Sequence, residues 1–195
     1  MRDSFAYIVM FLGVWSLDLL VNMINSGRAA SIPRIKLDDR IPFLPLFIYF
    51  YSLYFPLIMI PLAILFSAPR LLQRYLISSI LVMAISYAIF LVFPTKLIRI
   101  SIQADSFSRK LTLFFHRIVA PYNLLPSMHV SMLVLAFLIL LVHRRPYAWI
   151  LSTPIGLSIL SVIFTKQHYI LDLIAAVPLA VFAFLASATI QGWTH

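Results

Sequence analysis

Apolar residues in this chain do not alternate with polar ones; they run in long blocks. Six blocks approach or exceed the roughly 17–20 residues that a helix needs to cross a bilayer core. They cover residues 5–24, 41–68, 75–93, 126–142, 147–164 and 168–190. Asp18 and Asn22 interrupt the first. The second carries Pro42, Pro45, Pro56 and Pro61, the fifth Pro154 and Gly156, the sixth Pro178. Membrane helices tolerate such prolines because neighbours satisfy the freed carbonyls. The first block is longer than a signal-peptide core and contains an acid, so it reads as a retained helix. The pattern predicts an all-α integral membrane protein with six transmembrane helices and both termini on the same side. No repeat, low-complexity tract or linker divides the chain, which reads as a single membrane domain over residues 1–195.

Composition sharpens this picture. Of 195 residues, 63% are hydrophobic and 11% charged, and the mean hydropathy is +1.01. Those values exclude an ordinary soluble domain, a disordered chain and a coiled coil. Cysteine is absent, which removes disulfides and thiolate metal sites. Glutamate is absent as well; the acids are Asp3, Asp18, Asp38, Asp39, Asp105 and Asp172. The net charge of +9 would suggest nucleic acid in a soluble protein. Here it points to anionic head groups or a phosphorylated substrate, and no nucleic-acid partner is expected.

Six crossings place the loops at 25–40, 94–125 and 165–167 on one side and the tight turns at 69–74 and 143–146 on the other. The turns hold Arg70, Arg74, Arg144 and Arg145 with no acid. A raw positive-inside count favours a cytoplasmic position for the long loops, which hold more cations. Phosphate chemistry would inflate that count, whereas the tight turns have no such reason to be basic.

Ionisable groups at a membrane edge are costly and are functional candidates by default. Two segments stand out, Pro121-Tyr122-Asn123-Leu124-Leu125-Pro126-Ser127-Met128-His129 and Thr165-Lys166-Gln167-His168-Tyr169-Ile170-Leu171-Asp172. Each opens a predicted helix, on the same face of the bilayer. His168 and Asp172 are four apart, close enough on a helix to hydrogen-bond. A carboxylate on one imidazole nitrogen fixes the tautomer and makes the other nitrogen a better nucleophile. That suits a histidine attacking phosphorus, with His129 protonating the leaving oxygen. Ser127 at a helix start offers its hydroxyl and free N–H groups to an anion. Lys96, Arg99 and Lys166 lie near the same surface and can balance the phosphoryl charge.

Pro126-Ser127-Met128-His129 followed by His168-Tyr169-Ile170-Leu171-Asp172 resembles the second and third motifs of the type-2 phosphatidic acid phosphatase superfamily. Pro121-Tyr122-Asn123 and Asp39-Arg40-Ile41-Pro42-Phe43 look more like its inositol phosphorylceramide synthase-like branch. The resemblance runs from about residue 38 to the sixth helix, giving a catalytic core at about 38–190. It implies His168 as the nucleophile of a phosphohistidine, Asp172 as its orienting partner, His129 as general acid and Ser127 as a phosphate ligand, with no metal and no cofactor. It also implies a phosphorylated lipid substrate among membrane lipids, in a multi-pass cell membrane with the site on the outer face. The family's first motif, K-x6-R-P, is incomplete. With Arg99 as its arginine, Val92 stands at the lysine and Ile100 at the proline, while Thr95, Lys96 and Arg99 form a shortened version. The third motif often begins with Ser-Arg; here Val162 follows Ser161, and Lys166 substitutes.

The expected function is thus a membrane-embedded lipid phosphatase or phosphotransferase. The alternatives are a headgroup transferase of the inositol phosphorylceramide synthase type and a non-catalytic lipid-binding member of the fold. A zinc site on His129, His168 and Asp172 is the weaker chemical reading, because no glutamate base accompanies it. His116, His143 and His195 read as interfacial anchors or satisfied core residues. The basic stretch 26–40 reads as a headgroup-facing strap. Asp18 and Asn22 read as an interhelical hydrogen-bonding pair.

Overall fold

The computed structural model describes residues 2–190 and 192; His195 lies outside them. The apolar blocks form helices, and five stretches are long and apolar enough to cross a membrane. These are Phe5–Ser26, Pro45–Ile64, Pro69–Val92, Arg145–Phe164 and Ile170–Ile190. The α-helices are α1 (Arg2–Ser26), α2 (Ile48–Ser52), α3 (Tyr54–Ile64), α4 (Pro69–Val92), α5 (Phe107–Ile118), α6 (Met128–His143), α7 (Arg145–Phe164) and α8 (Ile170–Ile190). Such a set makes the chain a multi-pass membrane protein. The fourth predicted block became α6, whose 16 residues extend only about 24 Å at 1.5 Å per residue. It is central, packing on α3, α4, α7 and α8.

Four boundaries differ from the sequence reading, each for a local reason. Residues 69–74 are not a turn: Pro69 opens α4, where proline's fixed φ and missing N–H suit a helix start. The real turn is one step earlier, at 65–68. The proline-rich second block is segmented. A 3-10 turn at Pro45–Phe47 precedes α2 and α3, and Leu44 N–H donates to Phe164 O at 3.0 Å. The last helix starts at Ile170, so His168 stands just outside it. Finally, the predicted loop 94–125 contains α5. Phe107, Leu111, Phe114, Phe115 and Ile118 recur at helical spacing on it, and Ser106 caps it by accepting from Arg109 N–H. A search for blocks long enough to span a bilayer passes over such an amphipathic helix.

One apolar cluster joins Phe11 and Val21 of α1 to Tyr75, Met83 and Phe90 of α4, Leu133 and Ile139 of α6, and Ala180 and Ala183 of α8. The buried alanines of α8 allow close helix approach, as in membrane bundles. Hydroxyls stitch the helices at the same points. Ser131 donates to Ala176 O at 3.1 Å and Tyr75 to Ile58 O at 2.8 Å.

The loops above the bundle are also tied. Thr95 Oγ1 accepts from Leu124 N–H at 2.9 Å, and Leu97 N–H donates to Pro121 O at 2.8 Å. Ser31 and Tyr122 bridge the same strip through Thr95 and Lys96. This mat of extended chain holds the entrance to α6 in place.

Candidate active site

The turn between α7 and α8 sets the geometry. Gln167 N–H returns to Val162 O (2.8 Å) and Lys166 N–H to Ile163 O (3.1 Å). That is a Schellman closure with Lys166 at the position usually given to glycine. Lys166 has φ of 56°, in the left-handed region that costs a side chain about 1–2 kcal/mol. Its ammonium donates to Ile41 O (2.6 Å) and Asp38 O (3.2 Å), and burial lowers its pKa. Asp38 is itself buried. Its carboxylate accepts from Ile170 N–H at 2.9 Å, capping the first turn of α8 from a distant loop. The Asp172 side chain reaches back to Tyr169 N–H at 2.8 Å, the returning half of a capping box.

Between these fixed points stands His168, 9% exposed. Its Nδ1 lies 3.1 Å from Asp172 Oδ2, so Nδ1–H donates and Nε2 keeps a lone pair. Ser127 Oγ is 3.3 Å from that Nε2 and accepts from Val130 N–H at 3.4 Å as the cap of α6. The serine therefore turns its own proton toward His168. Ser127 N–H donates to Asp172 O at 3.0 Å, which locks the start of α6 to the start of α8. His129, the second residue of α6, has its ring 5.9 Å from that of His168. It packs between Tyr54 (4.2 Å) and Tyr51 (5.4 Å), and the Tyr51 hydroxyl lies 3.3 Å from its Nε2.

A cleft of about 350 Å³ opens beside the two histidines. Its walls include Trp15, Asp18 and Asn22 of α1, Phe115 and Ile118 of α5, and Asn123 and Gln167 of the loops. Asp18 and Asn22 bond within α1 (Asn22 Nδ2 to Asp18 Oδ2, 3.0 Å) rather than between helices, and face this cleft. A smaller hollow of about 100 Å³ on the other side of His168 is lined by Arg34, Asp38 and Lys166.

The cations expected to bind phosphate do not gather in the cleft. Lys96 is exposed and lines neither space. Arg99 stands behind the site, donating to Gln167 Oε1 and Val119 O, both at 2.7 Å; burial lowers its pKa. Lys166 holds backbone carbonyls. In the strap, Arg34 is ion-paired with Asp39. His116 Nε2 meets Thr165 O at 3.2 Å, and burial, then Arg99, pushes its pKa down to about 4. His143 Nε2 lies 3.0 Å from Arg74 Nη1.

The residues that sequence reasoning passed over at this site are Asp38, Tyr51, Tyr54 and Gln167. Gln167 stands inside the segment that holds His168 but carries no reactive group to mark it, and Asp38, Tyr51 and Tyr54 have no signal beyond lying beside or within a proline-rich apolar block. Among the described residues, no three His, Cys, Asp or Glu side chains are grouped to hold a metal ion. A family model described as the PAP2 superfamily matches residues 36–186. No curated protein and no solved structure matches the chain.

Proposed function

The chain belongs to the PAP2 superfamily, and from that premise we propose that it is a membrane-embedded lipid phosphotransfer enzyme working through a phosphohistidine. The observation that carries this reading is the placement of His168 between Asp172 and Ser127. Nδ1 is held by Asp172 at 3.1 Å and Nε2 turns toward Ser127 beside the cleft. In the first step, Nε2 forms a bond to phosphorus while the P–O bond to the leaving alcohol breaks, and protonated His129 gives that oxygen its proton. Asp172 stabilises the charge that appears on the His168 ring. In the second step, His129 takes a proton from water or an alcohol, whose oxygen attacks phosphorus as the N–P bond breaks. Ser127 releases Nε2 and offers its hydroxyl to a phosphoryl oxygen.

Water as acceptor gives a phosphatase; an alcohol gives a headgroup transferase like the inositol phosphorylceramide synthase branch. The size of the cleft favours keeping the second reading. It extends past the histidines to Trp15, Asp18 and Asn22, more room than a phosphoryl group alone requires. In this reading six crossings, α6 included, put both termini on one side and the site on the outer face.

The test is product release by the purified protein from a panel of phospholipids and prenyl phosphates in EDTA, beside His168→Ala and His129→Ala. Free phosphate lost in both variants supports a phosphatase. A new lipid formed only with an added alcohol supports the transferase. Turnover that survives His168→Ala rules out the phosphohistidine.

A further inference from the structure

A phosphoryl group entering the cleft meets few free cations, since Arg99 and Lys166 are engaged elsewhere. It meets two amides instead. Gln167 Oε1 accepts from Arg99 Nη1 at 2.7 Å. A guanidinium can only donate, so this bond fixes the oxygen end of the amide and makes Nε2 the other end. That Nε2 is buried and has no hydrogen-bond partner.

Asn123 ends a second relay of the same kind. Arg28 Nη1 donates to Asn25 Oδ1 at 3.1 Å. Asn25 Nδ2 then donates to Asn123 Oδ1 at 2.6 Å and to Phe90 O at 2.9 Å. Asn123 Nδ2 is left buried without a partner. Asn123 also holds φ of 62°, a backbone state that asparagine tolerates better than most residues and that clusters at functional sites.

Both residues line the cleft that His129 and His168 line, and Gln167 directly precedes His168. Buried donors are nearly always satisfied. Two exceptions in one cleft, each set by a relay that begins at an arginine, need a common cause. Hydrogen bonding at the amide oxygen also polarises the amide and strengthens its N–H groups as donors.

Resting on the phosphotransfer reading, we propose that Asn123 Nδ2 and Gln167 Nε2 are donors to the non-bridging oxygens of the bound phosphoryl group. Two neutral amides backed by Arg28 and Arg99 then do what direct cations do where the first motif is complete. Arg28, Asn25 and Arg99 are positioning residues. They set which end of each amide faces the ligand.

Orthovanadate, a tetrahedral oxyanion, is the probe. Its affinity for the purified full chain in detergent is measured by titration calorimetry, with lipid turnover followed in the same preparations. Asn123→Gly accepts the positive φ and Gln167→Met keeps the side-chain length; each removes the donor without adding charge. Each is expected to weaken vanadate binding roughly 10- to 100-fold, the range for a hydrogen bond to a charged group, in protein that still unfolds cooperatively, with a lower thermal midpoint because each variant also removes the oxygen its relay engages. Unchanged affinity in these variants overturns the proposal, as does a wild-type protein that binds no vanadate. If either neutral variant fails to fold, Asn123→Asp and Gln167→Glu retain the oxygen that each relay engages. An added charge at a contacting donor cannot leave anion affinity unchanged, so unchanged affinity there overturns the proposal equally. Turnover independent of His168 would sink the phosphohistidine alone. His168-dependent turnover with unchanged vanadate affinity would sink the amide donors alone.

Discussion

At His168 the chemistry depends on which nitrogen carries the proton, and Asp172 decides that. Asp172→Asn keeps the shape, and Tyr169 N–H holds the amide oxygen where Oδ2 stood, but the variant lacks the charge that stabilises the imidazolium formed on attack. Turnover should fall about 10²–10⁴-fold, the usual scale of a lost proton-handling partner, while KM changes little; steady-state kinetics on any accepted lipid checks this. Tyr51 acts at one remove. Its hydroxyl lies 3.3 Å from His129 Nε2 and its ring stacks on the imidazole. Tyr51→Phe keeps the stack and removes the hydroxyl. The expected outcome is a kcat loss of about 3- to 10-fold, the worth of one ordinary hydrogen bond, together with a displaced pH profile. A variant with wild-type kcat and profile would show that the ring alone holds His129. Both histidines and Asp172 were readable in the sequence because their motifs are local. Tyr51 was not, since it meets His129 from 78 positions away and reads as one more aromatic in an apolar block.

The turn from α7 to α8 carries the site, and it is held in part by Lys166, a side chain expected from the sequence to bind phosphate. Lys166 accepts left-handed backbone and offsets it by holding Ile41 O and Asp38 O. Lys166→Met keeps the strain and loses both bonds, and should cost about 2 kcal/mol. Lys166→Gly loses the bonds but relieves the backbone, so it should be milder by about 1 kcal/mol. Unfolding midpoints in detergent that rank glycine above methionine would support this division. A lysine in such a turn looks the same in sequence whether it binds phosphate or backbone, because the difference lies in a loop more than a hundred residues away. The capping of α8 by Asp38, 132 positions distant, was hidden for the same reason. Nearby, His116 supplies an acid-sensitive lock on the end of α7. Its pKa is about 4 in the folded chain against an ordinary 6.5, so the native state keeps it neutral and donating to Thr165 O. Between pH 6.5 and 4 the unfolded chain binds the proton and the folded one does not, so stability falls as pH drops through that window. His116→Gln retains a donor and should flatten this part of the melting-point profile.

In the whole molecule, the helix that the sequence pattern does not reveal joins the wall of the cleft to an exposed apolar and basic surface. Phe115 and Ile118 of α5 wall the cleft, while Phe107 and Phe114 are 70% and 53% exposed. Lys110 and Arg117 are exposed on the same helix, whereas Arg109 is paired with Asp105 at 2.6 Å. Exposed apolar and basic residues on one short amphipathic helix fit a position in the headgroup plane. Anionic lipid would then concentrate at the mouth of the cleft by about 1 kcal/mol per basic residue, roughly fivefold in local concentration. Lys110→Gln with Arg117→Gln should therefore raise the apparent KM for an anionic lipid diluted in zwitterionic liposomes by about 5- to 25-fold, leaving kcat unchanged. At about 1 M salt the Debye length shrinks to roughly 3 Å, and wild type and variant should converge. A difference that persists at high salt would mean that the two residues touch the substrate directly. No difference at low salt would mean that the substrate reaches the histidines by a route that does not pass α5.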